Sequence, residues 1–352
     1  MKNTTRVELN AYVSRIAELN SIDTGDVKST FSVDPAVQQT LEDAIQESSE
    51  FLGKINVITV TDQEGEKVGL GVSGPIASRT DTSLPGKSRQ TRDVSNLNSR
   101  RYRCEKTNFD THIRYAQLDA WARNPDFQPR IAGAIAKRQA LDRIMIGFHG
   151  EKVSANTDLG ANPLLQDVNK GWLQHMREDA PERVLGLVGN ALKGKVVIGK
   201  GDDADFANLD AAAFDAVQLL DPWYQDDTGL VVIVGRKLLH DKYFPIINGS
   251  NVATEKVGAD VIVSQKRIGQ MPAVRVPFFP DNAMLITRLD NLSIYVQDGS
   301  RRRRMVDVPE RDRIENYESS NDAYVVEDVG LAALVQNIEL TDGEAAGAGG
   351  AG

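Results

Sequence analysis

Apolar residues recur at helical spacing from the start of the chain. Leu9, Tyr12, Val13, Ile16 and Leu19 share one face and predict an amphipathic helix over 5–20. A polar, turn-rich stretch from Asn20 to Thr30, with Gly25 inside it, separates this helix from the next element. Asp34 then precedes Pro35, the capping residue and first-turn proline that open helices. Val37, Leu41, Ala44, Ile45, Phe51 and Leu52 carry a second apolar stripe up to Gly53, and residues 54–60 read as a strand. Val68, Leu70 and Val72 alternate in one short strand; Phe109, Thr111, Ile113 and Tyr115 alternate in another. Between them, residues 76–101 hold only Ile76, Ala77, Leu84, Val94 and Leu97 as apolar positions. A polar insertion of this length is uncommon in a compact domain unless it is functional or disordered. Its two readings are a protruding β-hairpin that packs on a neighbour and a surface loop.

Phe127, Ile131, Ile135, Leu141, Ile144, Met145 and Phe148 form the longest helical stripe, with Pro129 confined to the first turn and Gly147 and Gly150 expected to end it. At about 1.5 Å per residue this helix would be roughly 30 Å long. A further helix is expected over 163–178 around Trp172, and the Gly- and Lys-rich segment 186–205 reads as a linker or hairpin. A helix from Leu209 to Leu220 stops before Pro222, and a turn at Asp226–Gly229 leads into Leu230–Val234, an apolar run typical of a strand buried on both faces. Further strands are expected at Asp260–Ser264, Ala273–Val276, Met284–Thr287 and Leu292–Val296, making a compact α/β lobe. The last strands, at 313–317, 323–328 and 332–338, are expected to return to the first lobe, and Gly343–Gly352 reads as a disordered tail.

Length and composition change this picture little. With 352 residues, 41% hydrophobic and 26% charged, the chain has the make-up of a globular protein of about two domains. No apolar run approaches the roughly 20 residues that span a bilayer. No secretory signal is expected, because Arg6, Glu8, Arg15 and Glu18 interrupt the apolar residues of the N-terminus. The single cysteine, Cys104, excludes an internal disulfide, fits a reducing cytoplasm and reads as a small buried hydrophobe. A net charge of −9 argues against a sequence-reading DNA binder, which would show a basic footprint.

Several motifs suggest chemistry and then fail on context. Gly69, Gly71 and Gly74 spell GxGxxG with Asp93 further on, but Pro75 and a polar stretch come next where a dinucleotide site needs a helix. Gly189–Val196 (GNALKGKV) falls one residue short of a phosphate loop: Val196 cannot hold magnesium as Ser or Thr would, and Val196–Ile198 reads as strand. His112, His149, His175 and His240 are scattered without metal-ligand spacing, and no GxSxG elbow nominates a nucleophile. Catalytic, cofactor-binding and metal-ligating residues are therefore not assigned, and no cofactor is expected. Arg301–Arg304 and the cluster Arg100, Arg101 and Arg103 read as ion-pairing groups rather than phosphate contacts, with Asp307, Glu310 and Asp312 as nearby partners for the first.

The second half of the chain carries a longer and more specific signal. Pro222–Asn248 (PWYQDDTGLVVIVGRKLLHDKYFPIIN), Ala259–Tyr295 and Arg311–Asp328 (RDRIENYESSNDAYVVED) resemble the major capsid proteins of P2-like tailed bacteriophages. Asn10–Asn20, Gln46–Asn56, Ile113–Arg123 and Asn162–Gln174 extend the resemblance over nearly the whole chain. It implies the Hong Kong 97-type capsid fold, of class α+β, with an extended β-hairpin loop and a long spine helix. On this frame 1–31 is a propeptide or scaffold-like helix, 32–60 an N-terminal arm and 61–112 the extended loop. Residues 113–205 are the peripheral domain, 206–295 an axial α/β domain, 296–342 strands returning to the peripheral domain and 343–352 the tail.

The resemblance further implies a non-enzymatic protein that assembles in hexamers and pentamers into an icosahedral shell around double-stranded DNA. The implied partners are other copies of the chain, an internal scaffold and maturation protease, and a portal at one vertex. The implied location is the virion, after assembly in the host bacterial cytoplasm. A separate protease is expected to cut near Phe31–Ser32, where the polar joint meets the Asp34–Pro35 helix start. The alternatives are an encapsulin-like compartment, which shares the fold but encloses protein, and a nucleotide-dependent enzyme.

Overall fold

A computed structural model of the chain describes residues 1–69, 77–83, 87–89, 91, 96–121, 127–187, 194–200, 203–240, 242 and 266–341. The expected strand at Asp260–Ser264, the tail, Gly71, Gly74 and Asp93 of the GxGxxG pattern, and most of Gly189–Val196 lie outside these residues. From the N-terminus the elements are α1 (Asn3–Leu19), β1 (Phe31–Ser32), α2 (Pro35–Glu47), β2 (Asn56–Val60), β3 (Glu64–Gly69), β4 (Asn96–Arg103), β5 (Glu105–Asn108) and β6 (Thr111–Arg114). Next come α3 (Tyr115–Trp121), α4 (Phe127–His149), α5 (Trp172–Asp179), β7 (Val184–Leu185), β8 (Val196–Gly199), α6 (Leu209–Val217) and β9 (Val231–Val234). The chain closes with β10 (Arg267–Ile268), β11 (Met271–Val274), β12 (Met284–Thr287), β13 (Leu292–Gln297), β14 (Arg302–Val308), β15 (Arg313–Val326), β16 (Ala333–Val335) and β17 (Ile338–Thr341).

Two sheets organise the molecule. The first is built around β15, whose 14 residues pair with β13 and β14 end to end along one edge and with β5 and β6 along the other. Parallel β2 extends it beside β13, and the short β1 lies against β14. The second sheet runs β10-β11-β9-β12-β16-β7 and is covered by α6, which buries Leu209, Ala212, Ala213 and Ala216. Antiparallel β3 and β4 form a separate ribbon, with Glu64 opposite Arg103 and Gly69 opposite Asn96.

The layer between the sheets is aromatic. Trp172 stands edge-on to Phe148, Phe51 and Tyr324, with centroids 5.1, 6.1 and 5.4 Å away, and its indole N–H donates to the Ser293 carbonyl at 3.0 Å. Such edge-to-face pairs add about 0.5–1.5 kcal/mol each beyond the area they bury. This packing explains Gly147. The helix does not end there but runs through it to His149, and a Cβ at Gly147 would lie 2.2 Å from the Trp172 ring.

Other expectations shift for identifiable reasons. The stripe to Gly53 is helical only as far as Glu47; a turn and one 3₁₀ turn carry Phe51 and Leu52 into the core. The helix expected over 163–178 begins only at Trp172, because Leu165 adopts φ +60° and Asp158 accepts from the Gly160 and Ala161 amides in a loop. Strand β6 gives way to α3 at Tyr115, and Phe109 is buried just outside a strand. The segment expected to be a linker or hairpin supplies β8, which pairs in parallel with distant β17. The strands expected at 313–317 and 323–328 are one strand, since the polar residues between them are themselves paired and buried. Three elements depart from the expected partition of lobes: β13 belongs to the first sheet, while β7, inside 113–205, and β16, inside the 332–338 expected to return to the first lobe, pair with each other in the second.

Candidate functional site

Beneath α2 and α4 the first sheet holds a buried charge network. Its sources are one face of each element. Gln38, Glu42 and Ile45 fall on the buried face of α2; Gln139 and Arg143 sit one turn apart on α4; Glu318, Ser320 and Asp322 alternate along β15. Arg143 bridges Glu42 and Asp322, its Nε donating to Asp322 at 3.0 Å. Arg301 donates to Glu42 at 2.7 Å, to Gln139 at 2.8 Å and to Glu318 at 3.1 Å. Arg303 reaches Glu318 at 3.0 Å, and Gln139 donates to the same carboxylate at 2.6 Å. Three guanidinium groups thus face three carboxylates, tying helix α2, the long helix α4 and the β14–β15 hairpin together.

The electrostatics reflect that geometry. Burial pushes the Glu42 carboxyl up, but Arg143 and then Arg301 outweigh it and hold Glu42 below its ordinary range. Burial likewise opposes ionisation of Glu318, and Arg303 and Arg301 again bring it below its ordinary value. Asp322 ends above its ordinary value, because burial dominates over Arg143 and the Glu42 charge adds to it. Removing one partner from such a network strands a buried charge, which typically costs about 3–5 kcal/mol.

A second constellation surrounds the N-terminal segment. Helix α1 lays Leu9 and Ile16 into a groove formed by Leu118 of α3, Ile131 of α4, Met305 of β14 and Ile314 of β15. Its first turn is anchored where the Lys2 amide and the Thr5 hydroxyl donate to Asp119, at 2.9 and 2.6 Å. Midway, Arg303 donates to the Tyr12 hydroxyl at 3.1 Å. After the helix, Val27 is buried and Arg304 donates to the Lys28 carbonyl at 2.9 Å. Phe31 and Ser32, the expected junction, form the edge strand β1 opposite Arg303 and Arg302. Phe31 is half-buried and Ser32 exposed. Two residues later Asp34 caps α2, accepting from the Ala36 amide at 2.9 Å, as its place before Pro35 requires.

The remaining sequence candidates fall apart from one another. Arg301–Arg304 are ion-pairing or carbonyl-capping groups, but Asp307, Glu310 and Asp312 are not their partners: the strand sends Arg301 and Arg303 inward to Glu42 and Glu318, while Asp307 accepts from Tyr115. Arg101 pairs with Glu66 across the hairpin ribbon and Arg103 with Glu105. Cys104 is wholly buried, and burial, with Asp322 and Glu105 adding, pushes its thiol up to about 12. A thiolate is therefore disfavoured at neutral pH. His149 bonds the Phe278 carbonyl at 2.6 Å, His175 faces Asp179 at 3.3 Å, and His112 lies opposite Glu315 in the β6–β15 ladder. Among the described residues no three His, Cys, Asp or Glu side chains gather as a metal site, and no helix is long and apolar enough to cross a membrane.

Sequence reasoning missed Glu42, Gln139, Arg143, Glu318 and Asp322. The signal was present: each is a polar residue on the apolar or alternating face of its own element.

Comparison with known proteins places this architecture. The family model for the phage major capsid protein, P2 family, matches residues 8–338. The capsid protein of Escherichia phage P2 is 54% identical over 347 residues, covering 97% of this chain and 96% of the relative. The major capsid protein of Serratia phage KSP20 is 43% identical, covering 99% of this chain and all of that one. A chain from the satellite phage P4 procapsid including size determination (Sid) protein superimposes with a TM-score of 0.80 at 50% identity, covering 97% of this chain and 99% of that one. The fold is accordingly a phage capsid fold of mixed α/β content, and the chain belongs to the P2 family of phage major capsid proteins.

Proposed function

We propose that this chain is the tile of an icosahedral phage head that encloses packaged double-stranded DNA. The observation that carries the reading is the likeness to a procapsid chain over nearly the full length of both. In this reading the hairpin base β3–β4 carries an extended loop toward a neighbouring subunit, α4 is the spine of a peripheral domain, and the α6-covered sheet is an axial domain near the capsomer centre. Closed shells form when heterologous contacts rotate to closure, and many modest contacts then reinforce one another. The portal occupies one vertex, and assembly takes place in the host cytoplasm.

A separate protease linked to the internal scaffold cuts near Phe31–Ser32. What supports this position is that β1 is an extended, two-residue edge strand, the conformation in which proteases take substrate. The charges of residues 1–31 cancel (Lys2, Arg6, Arg15 and Lys28 against Glu8, Glu18, Asp23 and Asp26), so the cut chain keeps its net charge of −9. An acidic wall of this kind lets DNA slide instead of pinning it. Electron microscopy of the purified chain, with and without residues 1–31, tests assembly: closed shells are expected, and a chain that stays monomeric under crowding and co-expression with its scaffold refutes the reading. Mass spectrometry of mature particles tests processing, which an intact Met1 terminus would exclude.

A further inference from the structure

We infer that the groove between α3, α4 and the β6–β14–β15 edge is a peptide-binding site, and that residues 1–31 occupy it as a non-covalent ligand that stays seated after the chain is cut. The inference rests on the processing reading only for its place in maturation. Every contact that holds the segment is independent of the peptide bond at the junction. Asp119 clasps the first turn through Lys2 and Thr5; Leu9 and Ile16 fill the apolar floor; Arg303 holds Tyr12; Arg304 holds the Lys28 carbonyl beside buried Val27. Both ends of the segment are thus anchored to the body. The fit is close beneath Leu9 and Tyr12, where the cavity measures about 20 Å³, and looser beside Arg6, Val13 and Val27, where one of about 230 Å³ opens. One further bond spans the cut itself: the Asp34 amide donates to the Asn20 side chain at 3.0 Å.

Cutting the chain removes a tether and none of these contacts. The loss is the effective concentration the tether supplied, while the rate of leaving is still set by the contacts themselves. Cutting and release are therefore separate events. Departure requires β14 and β15 to move against α3 and α4, so that Met305 and Ile314 no longer face Leu118 and Ile131. A rearrangement of the tile would open the groove; proteolysis alone would not.

The test uses the full unassembled chain with a recognition sequence for a site-specific protease inserted between exposed Ser29 and Thr30. After cutting, gel filtration at micromolar concentration should return the peptide with the body. A fluorescent synthetic peptide of residues 1–29 should then exchange slowly into the cut protein, and the same peptide carrying Leu9→Asp should fail to do so. A cut peptide that elutes apart from the body overturns the proposal, whether the body stays folded or precipitates. Equal exchange of the Leu9→Asp peptide overturns it as well. Because the cut is made by an introduced protease, a particle that keeps Met1 would sink the processing reading and leave this result standing.

Discussion

The two sheets solve the same problem with opposite materials. The six-stranded sheet packs Val232, Val234, Met284 and Ile286 beneath the alanines of α6 and turns Ile233 and Leu285 to the aromatic layer on its other face. The sheet around β15 buries Glu42, Arg143, Arg301, Glu318 and Asp322 together. Hydrophobic packing is non-directional and tolerates small adjustments. A buried ionic network depends on each partner being present in the right place. The difference places rigidity where three elements must keep a fixed relation: α2, the long helix α4 and the hairpin that borders the α1 groove.

The sharpest way to break this contrast is Arg143→Ala. It strands Asp322 without its cation and leaves Glu42 with Arg301 alone, and the expected loss is about 3–5 kcal/mol in denaturant unfolding of the unassembled chain. A loss below about 1 kcal/mol would mean that water or rearrangement compensates, and the network would not be the stiffening element.

Acid should act on the same region next. Glu42 and Glu318 are held below their ordinary values in the folded state, so their contribution is complete above the ordinary glutamate range, about pH 4.3. It is lost as pH falls through that range toward the folded values. Asp322 works in the opposite sense: raised by burial, it favours folding slightly more once protonated. Melting temperature followed from neutral pH downward should therefore fall steeply below about pH 4. Glu42→Gln should start less stable at neutral pH and show a shallower acid limb. An unchanged limb would show that Glu42 is not among the groups whose protonation opens the network.

Legibility in the sequence divides along the same line. Met284–Thr287 and the apolar run at Leu230–Val234 are readable as strands because apolar residues in a short run have few other places to go. The middle of β15, Glu318–Asp322, reads as a break because polar residues ordinarily mark turns, and only partners distant in sequence make them strand. For the same reason Arg301 is visible as part of an arginine run, while its partners Glu42 and Glu318 are not. The expected junction at Phe31–Ser32 rests on local signals, a polar joint and a capping aspartate, whereas the groove that receives α1 draws on four elements spread over two hundred residues.

Gly147→Ala probes the aromatic layer that both sheets share. A methyl there must displace the Trp172 ring, and overpacking of this kind costs about 1–3 kcal/mol. The loss should appear together with a changed near-ultraviolet circular dichroism signal, since Trp172 is the ring that moves. A neutral result with an unchanged spectrum would place the ring elsewhere.

The smallest effect should come from the apolar sheet, and it sets the scale for the others. Ile286 is wholly buried between Val232 and Ala333. Ile286→Val deletes one methylene and keeps the β-branched shape, so the expected loss is about 0.5–1.5 kcal/mol. Arg143→Lys is its counterpart in the charged sheet: it keeps the charge and loses the planar fork that serves Glu42 and Asp322 at once. If directional contacts are what stiffen the β15 sheet, the lysine variant should lose clearly more than the valine one when both are unfolded in parallel. Equal losses would mean that the two interiors respond to volume alone, and that the charged layer has no rigidity beyond its packing.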